Sequence, residues 1–266
     1  MLRKAFSLFV MVLLLISLAG CGGRENSSPD IGLDGDGTDN PNPQTNETRE
    51  IDAWVERSLP MFLAQSRELA GTQYLLVTYG VKNDGYAVEI TAVDVKVDRV
   101  EVTVQFTKPA PGQRGDGTVD YPYALREIPA TGLPAVFVAQ GAEEYLPQLQ
   151  GIEYLPPIVA QSPGIKIFSP APEEEVGRSL TVNGVGNVFE GNIQYKLLAG
   201  NETVLISGFT TAAMGDWQLF SIDLEIDEAV AVEGPIYLRL YTYSAKDGSV
   251  QDLIEIPLSL LLERVN

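Results

Sequence analysis

The spacing of hydrophobic positions changes repeatedly along this chain. From Ala5 to Leu18 almost every residue is apolar (AFSLFVMVLLLISL), a run shorter than the roughly 20 residues a spanning helix needs. Residues 22–49 then hold almost nothing apolar and are rich in Gly, Asn, Asp, Pro, Ser and Thr, which predicts a flexible tether. Between Ile51 and Gly71, Trp54, Val55, Leu59, Phe62 and Leu63 recur every three to four residues, the spacing of a helix face. Pro60 interrupts that pattern, so it predicts two short helices or one kinked helix, with Gly71 as the C-terminal stop.

From Tyr74 onward the period is two, the mark of half-buried strands. YLLVTY (74–79) is followed by the turn GVKNDG. In YAVEITAVDV, Tyr86, Val88 and Ile90 alternate with Ala87, Glu89 and Thr91. VEVTVQF repeats the pattern with Val100, Val102, Val104 and Phe106, joined to it by a hairpin at 94–99. A Pro/Gly loop (KPAPGQRGDGTVD) leads to another strand at YPYALREI. Residues 139–164 carry four prolines and read as an interdomain connection. Beyond them, strands are predicted at 165–168, 180–184, 188–198, 203–210, 217–226, 235–243 and 250–260. Seven short strands in about 100 residues indicate a β-sandwich of immunoglobulin type. VNGVGN (182–187) reads as a sandwich turn, and KDGS (246–249) as an Asp-Gly hairpin turn.

The expected fold class is therefore mainly β. A signal peptide (1–20) and a tether (21–49) precede an α+β domain with a small antiparallel sheet (50–138). The Pro-rich connection (139–164) and an immunoglobulin-like β-sandwich (165–266) follow.

Charge and composition narrow the chemistry. The chain has 36 acidic and 18 basic side chains, no histidine and one cysteine, for a net charge of −18. Losing Arg3 and Lys4 with residues 1–20 takes this to −20. Such a surface repels nucleic-acid phosphates, so no nucleic-acid partner is expected. Without histidine there is no Ser-His-Asp triad and no imidazole base or metal ligand, and no phosphate-cradling glycine motif occurs. Of Asp34, Asp36 and Asp39, the first two fit the alternate positions of a calcium loop, but Thr38 takes the third ligand position and no Glu follows at the twelfth. A solvated linker is the reading taken; neither cofactor nor metal is expected. Paired carboxylates could still hydrolyse a glycan. The clusters Glu143/Glu144 and Glu173–Glu175 are adjacent on extended chain, where neighbours point to opposite sides, and read as solvated loop acids. Asp252 and Glu255 read as outward-facing strand residues. The expectation is a protein that is not an enzyme.

Arg3 and Lys4, the apolar run and the small residues after it have the layout of a secretory signal. Leu18-Ala19-Gly20-Cys21 resembles the lipobox of bacterial lipoproteins. That resemblance implies cleavage between Gly20 and Cys21 and a diacylglyceryl group on the Cys21 sulfur, and two acyl chains hold a protein stably on a membrane. The chain is then expected on the extracytoplasmic face of the cell membrane. Fully stretched, residues 22–49 reach about 100 Å; as a coil they average ~30 Å.

Two further resemblances rest on separate segments. Ser169-Pro170-Ala171-Pro172, Val182-Asn183-Gly184, Val188-Phe189-Glu190, Ser244–Ser249 and Ile256-Pro257 occur in order and resemble the immunoglobulin-like domain of bacterial spore germination proteins. This implies a binding or scaffolding module linked to sporulation or germination. YLLVTYGVKNDGYAVEI and YPYALREIP, within 74–128, resemble the C-terminal domain of the protease complex subunit PrcB. This implies the rival role of accessory or inhibitor of an envelope protease; a carboxylate-based glycan-active enzyme is the second rival.

One surface stands out. Tyr237, Arg239, Tyr241 and Tyr243 share one face of a predicted strand, and aromatic residues with arginine are typical of binding hot spots. Three assignments stand: an outward interaction surface, a tyrosine core with the Ile236/Leu238/Leu240 face on the other side, or tyrosines packed under a loop. Phe189, Glu190 and Trp217 read as core and turn residues. Expected partners are the membrane, through Cys21, and envelope or germination proteins or cell-wall glycan. Wild-type protein is expected to sediment with membranes and Cys21→Ala to stay in the soluble fraction, as detergent-free cell fractionation will show.

Overall fold

The computed structural model describes residues 43–261 apart from 84, 113–116, 201, 231 and 233, with side chains from residue 46. The segments expected as signal peptide and tether up to residue 42, with Gly20, Cys21, Asp34, Asp36 and Asp39, lie outside the described residues.

In the first domain, helix α1 (Pro43–Ser58) is followed by strands β1 (Phe62–Leu69), β2 (Thr72–Tyr79), β3 (Lys82–Asn83), β4 (Ala87–Val95), β5 (Val100–Thr107), β6 (Val119–Asp120), β7 (Tyr123–Pro129) and β8 (Ala135–Gly141). The connection contributes β9 (Leu149–Gln150) and β10 (Ala160–Gln161). The second domain holds β11 (Ile165–Ser169), β12 (Glu175–Val176), β13 (Ser179–Gly186), β14 (Asn192–Ala199), β15 (Val204–Thr211), β16 (Trp217–Glu225), β17 (Ile236–Tyr243) and β18 (Val250–Leu260).

Helix α1 begins earlier than its apolar stripe, because Pro43 suits the first helical position, where no N–H is needed. Residues 43–49, expected in the tether, are thus helical. The helix ends at Ser58, since Pro60 has no N–H and disfavours helical geometry at Leu59. Beyond Pro60 the expectation is corrected: Phe62–Leu69 is a strand, not a second helix. It forms a hairpin with β2, closed by Ala70 and Gly71, whose φ of 49° and 83° suit a two-residue hairpin turn. Gly71 therefore serves the hairpin rather than a helix end. The spacing that looked helical hides an alternation: Phe62 and Ala64 face one side of the strand, Leu63 and Gln65 the other.

Two three-stranded sheets, β1-β2-β7 and β4-β5-β8, enclose the first core. The former is antiparallel, as expected; in the latter, β5 and β8 run parallel. Leu75, Val77 and Tyr79 meet Val100, Val102, Val104 and Phe106 between them. Helix α1 covers the outer face of β1-β2-β7, burying Ile51, Trp54 and Val55 against Leu76. Full burial of such side chains contributes about 1.5–3 kcal/mol each. The polar groups caught there close a ring. Trp54 Nε1 donates to Gln65 Oε1 (3.0 Å), Gln65 Nε2 donates to Ser58 Oγ (2.8 Å), and Ser58 Oγ donates to the Trp54 carbonyl (2.8 Å).

The seven strands expected in the second domain all form, as a two-sheet sandwich. One sheet runs β10-β11-β13-β16-β9 and the other β12-β18-β17-β14-β15. Val182, Phe220 and Ile222 of the first pack on Ile193, Leu197, Leu238 and Ile256 of the second. VNGVGN departs from its expected role as a turn. Gly184 and Gly186 lie inside β13, and a Cβ on Gly184 would stand 2.4 Å from the Lys166 carbonyl oxygen and 2.7 Å from the Phe220 ring. Glycine there permits close approach of strand and ring. The KDGS turn forms as expected, with Asp247 Oδ1 accepting from Ser249 N (3.1 Å) and Oγ (2.7 Å).

The Pro-rich connection is built into both domains. Its β9 adds in parallel to β16, and its β10 pairs with β11. Leu155 of the connection joins Met61 and Leu63 of the first domain and Val185 and Trp217 of the second in one buried cluster. Trp217 Nε1 donates to the Phe62 carbonyl (3.0 Å). Beside it, Asp216 accepts from Gln148 N (2.8 Å), Gln150 Nε2 (2.7 Å) and the Tyr145 hydroxyl. All described residues belong to one unit, Pro41–Asn266.

Lys166, 3% exposed, lies close by. Its Nζ donates to the Ser162 carbonyl (2.6 Å) and stands 5.7 Å from the Trp217 ring centroid. Burial pulls its pKa down to about 8, against the opposing attraction of Asp252.

Truncating Trp217 to Ala is expected to cost about 3–5 kcal/mol. It should also split one calorimetric unfolding transition into two, because this cluster couples the two cores. Lys166 has a second consequence. Between its folded pKa near 8 and its ordinary value of 10.5, the unfolded chain holds a proton that the folded chain has released. Stability therefore rises with pH across that window. The stability gap between Lys166→Met and wild type should shift in favour of wild type by roughly 2–3 kcal/mol from pH 7.5 to pH 10, as urea titrations at the two pH values will measure.

Candidate functional site

Strand β17 decides the first candidate. Ile236, Leu238 and Leu240 are fully buried in the sandwich, pairing across to Leu197, Ile254 and Ile256. Tyr237, Arg239, Tyr241 and Tyr243 consequently lie on the face away from the aliphatic core, where Tyr243 is exposed, Tyr237 and Arg239 are half-buried and Tyr241 is buried. Arg239 binds Glu202 in bidentate fashion (2.7 and 2.8 Å) and also bonds Glu255. The Glu202 bonds, and next those to Glu255, hold its guanidinium charged beyond its ordinary range; Arg239 in turn lowers the Glu202 pKa. Tyr241 and Tyr243 meet edge to face with centroids 5.3 Å apart. Their hydroxyls stand 3.4 Å apart, and this bond raises the Tyr243 pKa. Lys196 Nζ lies 5.8 Å from the Tyr241 ring. Arg239, Tyr241, Tyr243 and Lys196 line a cleft of about 340 Å³, floored in part by exposed Val250 and Leu253. Tyr237 stands farther along the strand, opposite Leu198 and Pro257, and does not line it.

A second, larger cleft of about 600 Å³ runs beside β1. Its walls come from β1, residues 132–137 and residues 148–154. Sequence reasoning missed it because one wall was expected to be helix and another an irregular interdomain connection. The nearest signal was the pair of glutamines, Gln65 and Gln73, which are buried in β1 and β2. Gln73, 1% exposed, donates to Ser66 Oγ and the Leu133 carbonyl (both 3.0 Å) and accepts from Thr131 Oγ1 (2.6 Å). Glu68 accepts from the backbone N–H groups of Thr131 (3.0 Å) and Gly132 (2.6 Å). Together these bonds hold the 130–133 loop as one rim. Arg67 pairs with Glu50 of α1 and lies under the ring of Tyr154, 4.6 Å from its centroid. Its Nη1 is buried without a hydrogen-bond partner.

The acidic candidates are dispersed over the fold. Glu143 accepts from Tyr79 Oη (2.7 Å) and pairs with Lys108 (3.2 Å). Glu174 accepts from Ala171 N (2.7 Å), and Glu175 lies in β12. Glu255 faces outward, as expected. Asp252 differs: it is half-buried at a φ of 52°, accepting from Gly164 N (2.7 Å) and Thr242 Oγ1 (3.1 Å), because β18 is irregular at that point. Phe189 also differs, being 59% exposed beside the left-handed Glu190 and Gly191, while Trp217 is buried. Among the described residues, no group of three or more Cys, Asp or Glu side chains could hold a metal ion. No helix among them is long and apolar enough to cross a membrane.

The fold and these clefts describe a protein of two fused β domains with open surface sites. Comparison with known proteins finds a matching family model for one segment in each domain. Residues 164–249 match the immunoglobulin-like domain of bacterial spore germination, and residues 73–129 match the PrcB C-terminal domain. Among curated proteins none matches the chain. A crystal structure of a DUF3823 family protein from Bacteroides ovatus is similar over 74% of this chain and 97% of that one, at 14% identity and a TM-score of 0.28. Likeness at that level carries no weight here.

Proposed function

We propose that this chain is a lipid-anchored binding and scaffolding protein of the bacterial envelope, acting without catalysis and linked to sporulation or germination. One observation carries the reading. The domain matching the spore-germination family and the domain matching PrcB are fused through the Trp217 cluster, so the two clefts they carry keep a fixed relation. A body of that kind holds two partners, or two parts of one partner, in register. The lipobox resemblance at Leu18–Cys21 supplies the tether to the membrane, and the net charge of −18 favours basic partners. The match over 73–129 favours a second reading, in which the partner is an envelope protease that the chain assists or restrains.

Tagged wild-type and Cys21→Ala chains, crosslinked and recovered from growing and from sporulating cells, test both readings. Germination or spore-assembly proteins recovered only with the wild type are expected from the first. A protease recovered at near-stoichiometric level supports the second. Recovery of no protein with either chain overturns both and leaves cell-wall glycan as the ligand.

A further inference from the structure

The outward edge of β1 is used by the molecule itself, but only for half its length. β1 is an edge strand in the order β1-β2-β7. Alternate residues of such a strand turn their N–H and C=O groups away from the paired neighbour. At Phe62 the outward carbonyl accepts from the Trp217 indole, and at Ala64 the outward N–H donates to the Pro147 carbonyl (2.8 Å). Gln148 bridges to Ala64 in parallel, as the first residue of an added strand would. The connection then turns away, and its next two residues pair with β16 instead. The next outward positions on β1 are Ser66 and Glu68, and both line the larger cleft.

We infer that this cleft receives an extended, neutral-to-basic polypeptide segment of a partner protein, paired as an added strand on β1 at Ser66 and Glu68. The inference rests on the binding role proposed above and names the partner's chemistry at one of its sites. Three features of the cleft fit that occupant. Gln65–Glu68 spans ~13 Å of strand edge, and the volume of about 600 Å³ lies within the range of ligand clefts. The partnerless Nη1 of Arg67, held under Tyr154, needs an acceptor that a peptide carbonyl supplies once the ring moves aside. Charge sets the sign. Arg67 is already paired with Glu50, whereas the exposed Glu153 at the rim leaves the cleft negative, in a chain of net charge −18. Main-chain pairing supplies affinity in such strand addition, and the alternate side chains supply selectivity.

The test selects a displayed random heptapeptide library against the full chain and measures the selected peptide by fluorescence anisotropy. Peptides enriched in Lys or Arg are expected. N-methylation of alternate backbone amides should weaken binding about tenfold in one register only, through loss of two ladder hydrogen bonds. Hydrogen exchange should slow at Ser66 and Glu68. Glu153→Lys, an exposed substitution that leaves the melting temperature unchanged, should weaken the basic peptide severalfold. A library that yields no binder overturns the inference. So does a binder indifferent to N-methylation in both registers, or one that protects amides elsewhere. Those outcomes leave the envelope recovery experiment untouched, so the two failures are distinguishable.

Discussion

A single part-buried hydrogen bond fixes the geometry on which the rest depends. The indole N–H of Trp217 sits in an apolar cluster where an unsatisfied donor would cost several kcal/mol, and its acceptor is the outward carbonyl of Phe62. That bond joins the sandwich to the edge of the first domain's sheet. With β1 held at that distance, Pro147 and Gln148 reach Ala64, β9 reaches β16, and Leu155 is sealed between Met61 and Val185. The larger cleft exists because this docking stops partway along β1. Its position is set by the interface, while its walls belong to the first domain and the connection.

Several strands of the sandwich were legible because they carry a two-residue alternation, and Leu238 flanked by Tyr237 and Arg239 is a good example. The Arg239–Tyr243 surface followed from the same alternation once the core was known to prefer the aliphatic side. Other parts were not readable from local pattern. Phe62 and Leu63 fit a helix face by spacing, yet a left-handed Ala70-Gly71 turn and pairing with β2 place them in a strand. Prolines at 147, 156, 157 and 163 signal an irregular path, but not that this path is buried at Leu146 and Leu155. The larger cleft depends on both of those features, which are tertiary facts, so no short motif announced it. Gly184 and Gly186 looked like turn residues for a related reason: the contacts that require small residues are tertiary, from Phe220 at Gly184 and from Ile193 and Ala212 at Gly186.

The two clefts differ in kind. On β17, Arg239 is neutralised by Glu202 and Glu255, leaving tyrosine rings, Lys196 and exposed aliphatic groups to meet a ligand side chain by side chain. Beside β1, what is offered is largely main chain. A body with one site that reads side chains and another that reads extended backbone can engage a folded surface and a loose segment together. The acidic balance of the chain gives both the same electrostatic preference.

Helix α1 adds a mechanical property. The chain enters the first domain at Pro43, and the helix is fastened to the sheet by the Trp54–Gln65–Ser58 ring and by Ile51 and Val55 against Leu76. Tension arriving along the chain loads this attachment before any strand. The second residue of the ring, Gln65, sits in β1 immediately before Ser66, and Glu50 of the helix grips Arg67. A pull strong enough to lift the helix would therefore slacken the very strand edge that walls the larger cleft, so the shape of that cleft is mechanically coupled to the helix.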